Sequence, residues 1–204
     1  MYVTNIEAWT KTKYKVELDG EFAFVLYKGE LSRYGIEKDT EISEELYQKL
    51  RTEIVLKRAK LRAMHLLEDM DRTEEELRRK LSQSLYPEDI IRDALEYVKS
   101  YKYLDDLRYA QNFILGRKDK KSRKEIYTLL LKKGIAPEDI KEAFGACYDT
   151  DSEKEAILSI LRKRHANPEE MNEAQLQKIY GYLARKGFHY DTVRQVIQNY
   201  DDNA

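Results

Sequence analysis

The sequence predicts a mainly α-helical protein: three tandem three-helix repeats forming an elongated array, preceded by a small N-terminal antiparallel β-sheet and a long helix. Three observations predict it. A set of large apolar residues recurs three times in one register, helix-capping signatures fall between the copies, and residues 1–42 alone carry strand-like runs around an Asp-Gly turn. The pattern is plainest in residues 72–95, where Leu77, Leu81, Tyr86 and Ile91 precede the pair Ala94-Leu95. It returns as Ile126, Leu130, Ile135 and Ile140 before Ala143-Phe144, and again as Ile179, Leu183, Phe188 and Val193 before Val196-Ile197. Each copy steps by four, five and five residues, and the copies lie 49 and 53 residues apart (77 to 126 to 179). A register held over that distance identifies stacked supersecondary units rather than one irregular domain.

The elements follow in chain order. Tyr14-Lys15-Val16-Glu17-Leu18 and Phe22-Ala23-Phe24-Val25-Leu26-Tyr27 flank Asp19-Gly20-Glu21, and Asp-Gly between such runs is a strong hairpin signal. A third strand is expected around Ile6-Glu7-Ala8-Trp9, with residues 31–40 leading out of the sheet. So few strands are marginal alone, so the sheet needs a helix of the main body to pack against. Ser43 before Glu44-Glu45 opens a long helix, carried by Leu46, Leu50, Ile54, Leu56, Ala59, Ala63, Leu66 and Leu67 towards Asp69. Its cluster Lys57-Arg58-Lys60-Arg62 is expected on the face away from the core.

Beyond Asp69, capping signals delimit the helices. Thr73 with Glu76, Ser122 with Glu125 and Ser152 with Glu155 fit the capping box, and Asn172 with Gln175 is a weaker version. Pro87 and Pro137, each followed by Glu-Asp, suit a first helical turn, where the missing amide is no loss and carboxylates face the positive end of the dipole. Asp105-Asp106 is read as an N-cap. Helix starts are thus expected near 73, 87, 105, 122, 137, 152, 172 and 191, which with the long helix makes nine helices in three groups of three. Gly134 after Lys132-Lys133 and Gly187 after Arg185-Lys186 read as left-handed C-caps. The expected regions are 1–42 for the sheet, 43–100 for the long helix and first repeat, 101–148 and 149–200 for the second and third repeats, and 201–204 as a disordered tail.

Composition supports this reading. Charged residues make up 37% and hydrophobic ones 42%, with eight Gly and three Pro, a mixture that favours long helices with solvated faces. The single cysteine, Cys147, excludes an internal disulfide and a zinc site of paired cysteines, and it reads as a small core residue. The stretch MYVTNIEAWTKTKYKVELDG has no uninterrupted apolar segment of signal-peptide length, and nowhere are there the ~20 apolar residues of a membrane span. The expectation is a soluble, cytoplasmic protein.

Reactive groups do not converge in the sequence. There is no Gly-x-Ser-x-Gly elbow, no Gly-rich phosphate loop and no His-Glu-x-x-His, and His65, His165 and His189 lack metal spacing. No catalytic residue, metal site or cofactor is assigned. The net charge is −1, against a life on bare DNA, yet Arg117, Lys118, Lys120, Lys121, Arg123, Lys124, Lys132 and Lys133 face only Asp119 and Glu125 in residues 117–133. That local excess of six has two readings, a solvated loop and helix start or a patch for phosphate or an acidic surface. Tyr97, Tyr101, Tyr103 and Tyr109, among sixteen tyrosines, are expected mainly at helix seams with their hydroxyls in water.

Several stretches carry a resemblance to a known family. Arg72-Thr73-Glu74-Glu75-Glu76-Leu77, Tyr103-Leu104-Asp105-Asp106-Leu107-Arg108-Tyr109-Ala110, Lys132-Lys133-Gly134-Ile135 and Arg185-Lys186-Gly187-Phe188 occur in an order and spacing that resembles the RecX family of bacterial recombination regulators. The match runs from about Lys57 to Tyr200. The resemblance implies a non-enzymatic modulator of the RecA recombinase, one that binds the RecA–DNA filament in its helical groove. Such a protein limits filament growth, ATP turnover, strand exchange and the coprotease activity behind the SOS response. On this reading Arg117, Lys118, Lys120, Lys121, Arg123, Lys124, Lys132, Lys133, Arg185 and Lys186 face acidic recombinase surface or the single-stranded DNA within the filament. The protein would be a monomer with weak or no DNA binding of its own. One departure is Ser84-Leu85, where the other repeats have a basic residue and glycine, so the first repeat's turn is expected to be built differently. The alternatives are a helix-turn-helix DNA-binding regulator, which the mixed charge of Glu138, Asp139, Lys141 and Glu142 disfavours, and a helical scaffold for another partner.

Overall fold

The computed structural model describes residues 1–200, and the tail expected at 201–204 lies outside them. It divides into two compact units, and the boundary along the chain falls between Asp105 and Asp106.

The first unit opens with strands β1 (Val3–Ala8), β2 (Lys13–Leu18) and β3 (Glu21–Tyr27), an antiparallel sheet in the order β1-β2-β3. Leu18 pairs with Glu21, so Asp19-Gly20 is a two-residue turn. Both central residues have positive φ, 51° and 89°, as a type I′ turn requires. Val16 lies opposite Phe24 in the ladder, and these two with Val3, Leu18 and Leu26 are buried in one hydrophobic core. Helix α1 (Lys28–Tyr34) follows β3 directly, where the sequence reading had only a lead-out. Its signal is short: Glu30 accepts from the Tyr27 amide at 2.7 Å, and Gly35 closes the helix at φ 62°.

The long helix α2 spans residues 44–69 without a break but is not uniform. Glu44–Lys49 and Lys57–Asp69 are α-helical, and Leu50–Leu56 between them is π-helical. The buried residues are Leu50, Val55, Ala59, Ala63 and Leu66. In an α-helix the five-residue step from Leu50 to Val55 would swing the side chain about 140° from its predecessor. The wider π turn takes up the extra residue and keeps both on the core face. Of the expected apolar stripe, Leu50, Ala59, Ala63 and Leu66 are buried, and Leu46, Ile54, Leu56 and Leu67 pack half-buried against the same core.

The basic cluster of α2 also needs correction. Lys57 and Arg62 point to solvent as expected, but Arg58 and Lys60 do not. The Arg58 guanidinium binds the Glu30 carboxylate at 2.5 and 2.6 Å, donates to the Val25 carbonyl at 3.1 Å and lies 4.6 Å from the Tyr27 ring centre. Lys60 sits 4.6 Å over the ring of Tyr97. Helices α3 (Glu74–Gln83) and α4 (Glu88–Ser100) complete this unit, and Leu77, Leu81, Ile91 and Leu95 join the sheet residues in the same core.

The second unit has two cores, one per repeat. Helices α5 (Asp106–Leu115), α6 (Arg123–Lys132) and α7 (Pro137–Cys147) enclose Phe113, Ile126, Leu130, Ile135, Ile140 and Phe144. Cys147 packs half-buried against them. Helices α8 (Thr150–Lys163), α9 (Glu173–Lys186) and α10 (Tyr190–Gln198), with a 3-10 turn at Pro168–Glu170, enclose Ile157, Leu161, Ile179, Leu183, Phe188 and Val193. The described residues thus hold ten helices, α1 being the addition to the nine expected. Among the twelve register positions eleven are buried, and Tyr86 is half-buried.

Two capping expectations change. α8 begins at Thr150 because Asp149, not Ser152, is its N-cap. The Asp149 carboxylate accepts from both the amide and the hydroxyl of Ser152 at 2.7 Å. A carboxylate is the stronger acceptor there and also faces the positive helix end. The Ser152 hydroxyl, then its amide, hold the Asp149 carboxyl below its ordinary pKa. The turn at Leu85 is not built differently. Leu85 has φ 58°, and the amide of Tyr86 reaches the carbonyl of Leu81 just as Ile135 reaches Leu130 and Phe188 reaches Leu183.

Candidate interaction surface in the second unit

The second and third repeats are joined end to end through two of their helices. Ser122 is the N-cap of α6: its hydroxyl oxygen accepts from the Glu125 amide at 3.1 Å, and the same hydroxyl donates to the Lys186 carbonyl in the last turn of α9 at 2.5 Å. One buried hydroxyl thus satisfies an orphan amide of one helix and an orphan carbonyl of another, where a positive helix end meets a negative one. The next residue, Gly187, has φ 91°. A Cβ built there would lie 2.9 Å from Cβ of Lys124 and 3.2 Å from the Ser122 hydroxyl, so the repeats meet where only glycine fits. Glu125 leaves its capping box half-formed because its carboxylate serves cations instead: Lys121, and Lys186 at 3.8 Å.

These contacts sort the basic residues singled out in the sequence. Four are engaged within the unit. Arg117 lies 3.7 Å from the ring centre of Phe113, Lys133 lies over Tyr109 at 5.3 Å and Phe113 at 5.9 Å, and Lys121 and Lys186 serve Glu125. Lys118 is half-buried and near enough to Asp149 to help lower its pKa. Lys120, Lys132 and Arg185 extend into solvent. Arg123 and Lys124 line a cleft.

That cleft has a volume of about 570 Å³ and is walled by Arg123, Lys124 and Tyr127 of α6, Pro137, Glu138, Lys141 and Phe144 of α7, and Gly187 and His189 of the third repeat. Arg123 spreads over the rings of Phe144 and Tyr148, 4.9 and 6.0 Å from their centres. His189 is held from behind by Glu153 of α8. This carboxylate, 8% exposed, accepts from the His189 amide at 3.1 Å and meets its Nδ1 at 3.1 Å, capping the start of α10 from another helix. Among the described residues Tyr148 has the one buried side-chain polar atom without a hydrogen-bond partner; its hydroxyl faces the Arg123 amide outside bonding geometry. Burial, and then the charge of Glu153, push this phenol up to about 12.

Linear reading missed Tyr127, Lys141, His189 and Glu153 because the cleft draws on segments more than forty residues apart. The one available signal was Gly187, the contact itself. The tyrosines divide: Tyr97 and Tyr109 pack at seams as expected, whereas Tyr101 and Tyr103 are 57% and 52% exposed, with rings stacked 5.9 Å apart. Among the described residues no three His, Cys, Asp or Glu are grouped to hold a metal ion, and no helix is long and apolar enough to cross a membrane.

Comparison with known proteins agrees with this architecture. The family described as RecX, first three-helix domain, matches residues 59–97; the second three-helix domain matches 105–143 and the third 151–197. A curated relative from Caldanaerobacter subterraneus subsp. tengcongensis, named Regulatory protein RecX, is 32% identical over 199 residues, covering 97% of this chain and 98% of its own. One of the same name from Clostridium perfringens is 29% identical over 206 residues, covering 98% and 97%. The crystal structure of a regulatory protein RecX superposes with a TM-score of 0.61 at 25% identity, covering 97% of this chain and 98% of that one. The crystal structure of RecX from Lactobacillus salivarius gives 0.63 at 25% identity, covering 72% and 96%.

Proposed function

The chain belongs to the RecX family, and from that premise we propose that it is a non-enzymatic regulator that binds the RecA–DNA filament and restrains it, lowering ATP turnover, strand exchange and coprotease activity. The observation that carries this reading is the tandem construction itself. The first repeat shares its core with the sheet, the second and third each close around their own apolar register, and those two are locked through Ser122 and Gly187, leaving outward cations on a fixed scaffold. A filament repeats its surface at fixed spacing, so weak contacts from several points of one scaffold sum through effective concentration. Binding that prefers one filament state over another then shifts the filament without any reaction on this chain. The regulator acts in the cytoplasm as a monomer and gains its access to single-stranded DNA through the recombinase.

Lys120, Lys132 and Arg185 are the cations best placed for such contacts, since reversing them breaks no internal ion pair. The test is RecA ATPase on single-stranded DNA with substoichiometric regulator. The triple variant Lys120→Glu/Lys132→Glu/Arg185→Glu should inhibit at least fivefold less well than the parent, while Lys38→Glu/Lys49→Glu, exposed cations of the first unit, should inhibit as the parent does. No inhibition by the parent protein would end this reading, and full inhibition by the triple variant would remove these cations from the contact. Duplex DNA without recombinase should show little shift in a mobility assay.

A further inference from the structure

We infer that the cleft between the second and third repeats is a socket for an acidic peptide segment carrying one large apolar side chain, a site beyond the filament reading and independent of it. Charge complementarity argues for it first. Arg123, Lys124 and Lys141 stand around the opening against Glu138, and none of the three cations has an ion-pair partner among the described residues. In a chain whose net charge is −1, Lys121 and Lys186 beside the cleft are both drawn onto Glu125, whereas these three cations are left to an outside partner. Three unneutralised ones around a single concavity make a local field for an anionic partner.

The cleft's interior sets the rest of the ligand. Pro137 and Tyr127 line the cleft beside the cations, with only the sliver of Phe144 that Arg123 leaves uncovered, and about 570 Å³ is room for one bulky side chain with its flanking backbone. A nucleobase fits less well. Stacking on single strands needs an open ring face, whereas Phe144 is 2% exposed and Arg123 covers it. The walls are also fixed in advance, by Gly187 against Lys124, Ser122 on the Lys186 carbonyl, and Glu153 behind His189. A preformed socket loses little entropy when it is filled.

Fluorescence anisotropy on the full chain tests this, with the fluorescein-labelled pentapeptide DDFDD as probe. DDFDD should bind and weaken steeply with added salt, DDADD should bind at least fivefold more weakly, and KKFKK should not bind. Arg123→Glu/Lys141→Glu should lower affinity for DDFDD at least tenfold, and Lys38→Glu/Lys49→Glu, the same charge change elsewhere, by less than twofold. Arg123 also covers Phe144, so Lys141→Glu alone guards against misfolding: with an unchanged Tm it should still weaken binding at least threefold. No binding of DDFDD, equal binding by the Lys141→Glu variant, or stronger binding of oligothymidylate that Lys141→Glu abolishes would each overturn the proposal. RecA ATPase inhibition is read separately, so a failed socket leaves the filament reading standing.

Discussion

The middle helices of the first and third repeats, α3 and α9, end in the same turn on different residues. In the third repeat Gly187 occupies the left-handed position, and in the first it is Leu85, with φ 58° against 91° and equivalent hydrogen bonds back to the last turn. The difference lies in what each turn meets. Gly187 is pressed against Lys124 and Ser122 of a neighbouring repeat, with no room for a Cβ. Leu85, half-buried, lines a small cavity with Trp9, Val55 and Tyr86, so its turn leaves room for a side chain. One turn, repeated by sequence, serves as a bare joint in one place and carries a side chain beside a cavity in the other.

The largest way to break that contrast is Gly187→Ala. The new Cβ would meet the Lys124 Cβ at 2.9 Å, on a stiff part of the chain, in a conformation that disfavours L side chains. Strain and overpacking together should destabilise the second unit by about 3 kcal/mol. Thermal unfolding checks this, and a loss under about 1 kcal/mol would mean the joint is not tight.

Next is Ser122→Ala. It removes a buried N-cap and leaves the half-buried Lys186 carbonyl without its donor, so about 2 kcal/mol should be lost. Asn172→Ala is the sharpening control. Asn172 is also a middle-helix cap, its box with Gln175 fully formed at 3.0 and 2.9 Å, but it stands in solvent. Its loss should be no more than about 1 kcal/mol by urea unfolding. Equal losses would deny that Ser122 joins repeats.

The twelve-position register was legible because each position is a large apolar residue at helical spacing, and burial follows from that alone. The hairpin was legible because Asp19-Gly20 satisfies two positive φ angles that few dipeptides accept. What escaped was decided by competition or by distance in sequence. Ser152 has the right spacing for a cap, but Asp149 is a better acceptor and takes Ser152 as its donor. Arg58 looked like one more solvated cation, since nothing in its neighbours announces Glu30, 28 residues earlier. The candidate interaction surface was half-legible. The basic run was visible, but which cations are neutralised depends on Glu125, and the cleft exists only once Gly187 brings His189 beside α6.

Tyr148, beside that joint, offers a pH test. Its phenol is raised from 10.0 to about 12, burial being the main cause and Glu153 the second. Below pH 10 both folded and unfolded chains keep the proton and the shift contributes nothing. Between pH 10 and 12 the unfolded chain releases it first, so stability falls as pH rises. Allowing for partial exposure, the loss should reach about 1–2 kcal/mol by pH 12. Tyr148→Phe should flatten this part of the stability curve and leave neutral-pH stability unchanged or slightly higher, since the hydroxyl it deletes has no partner. A parallel alkaline decline in both proteins would place its cause elsewhere.

The smallest effect tests the first turn. Leu85→Ala trims a half-buried side chain and keeps the left-handed strain, whereas Leu85→Gly trims it too and relieves the strain. At most helix positions glycine is the worse replacement by roughly 0.5–1 kcal/mol. Here the order should reverse, with the glycine variant more stable than the alanine one by about 1 kcal/mol and close to the parent. Urea unfolding of the three proteins decides it. If alanine proves the better replacement, Leu85 is not held left-handed in solution, and the first repeat's turn differs in kind from that at Gly187.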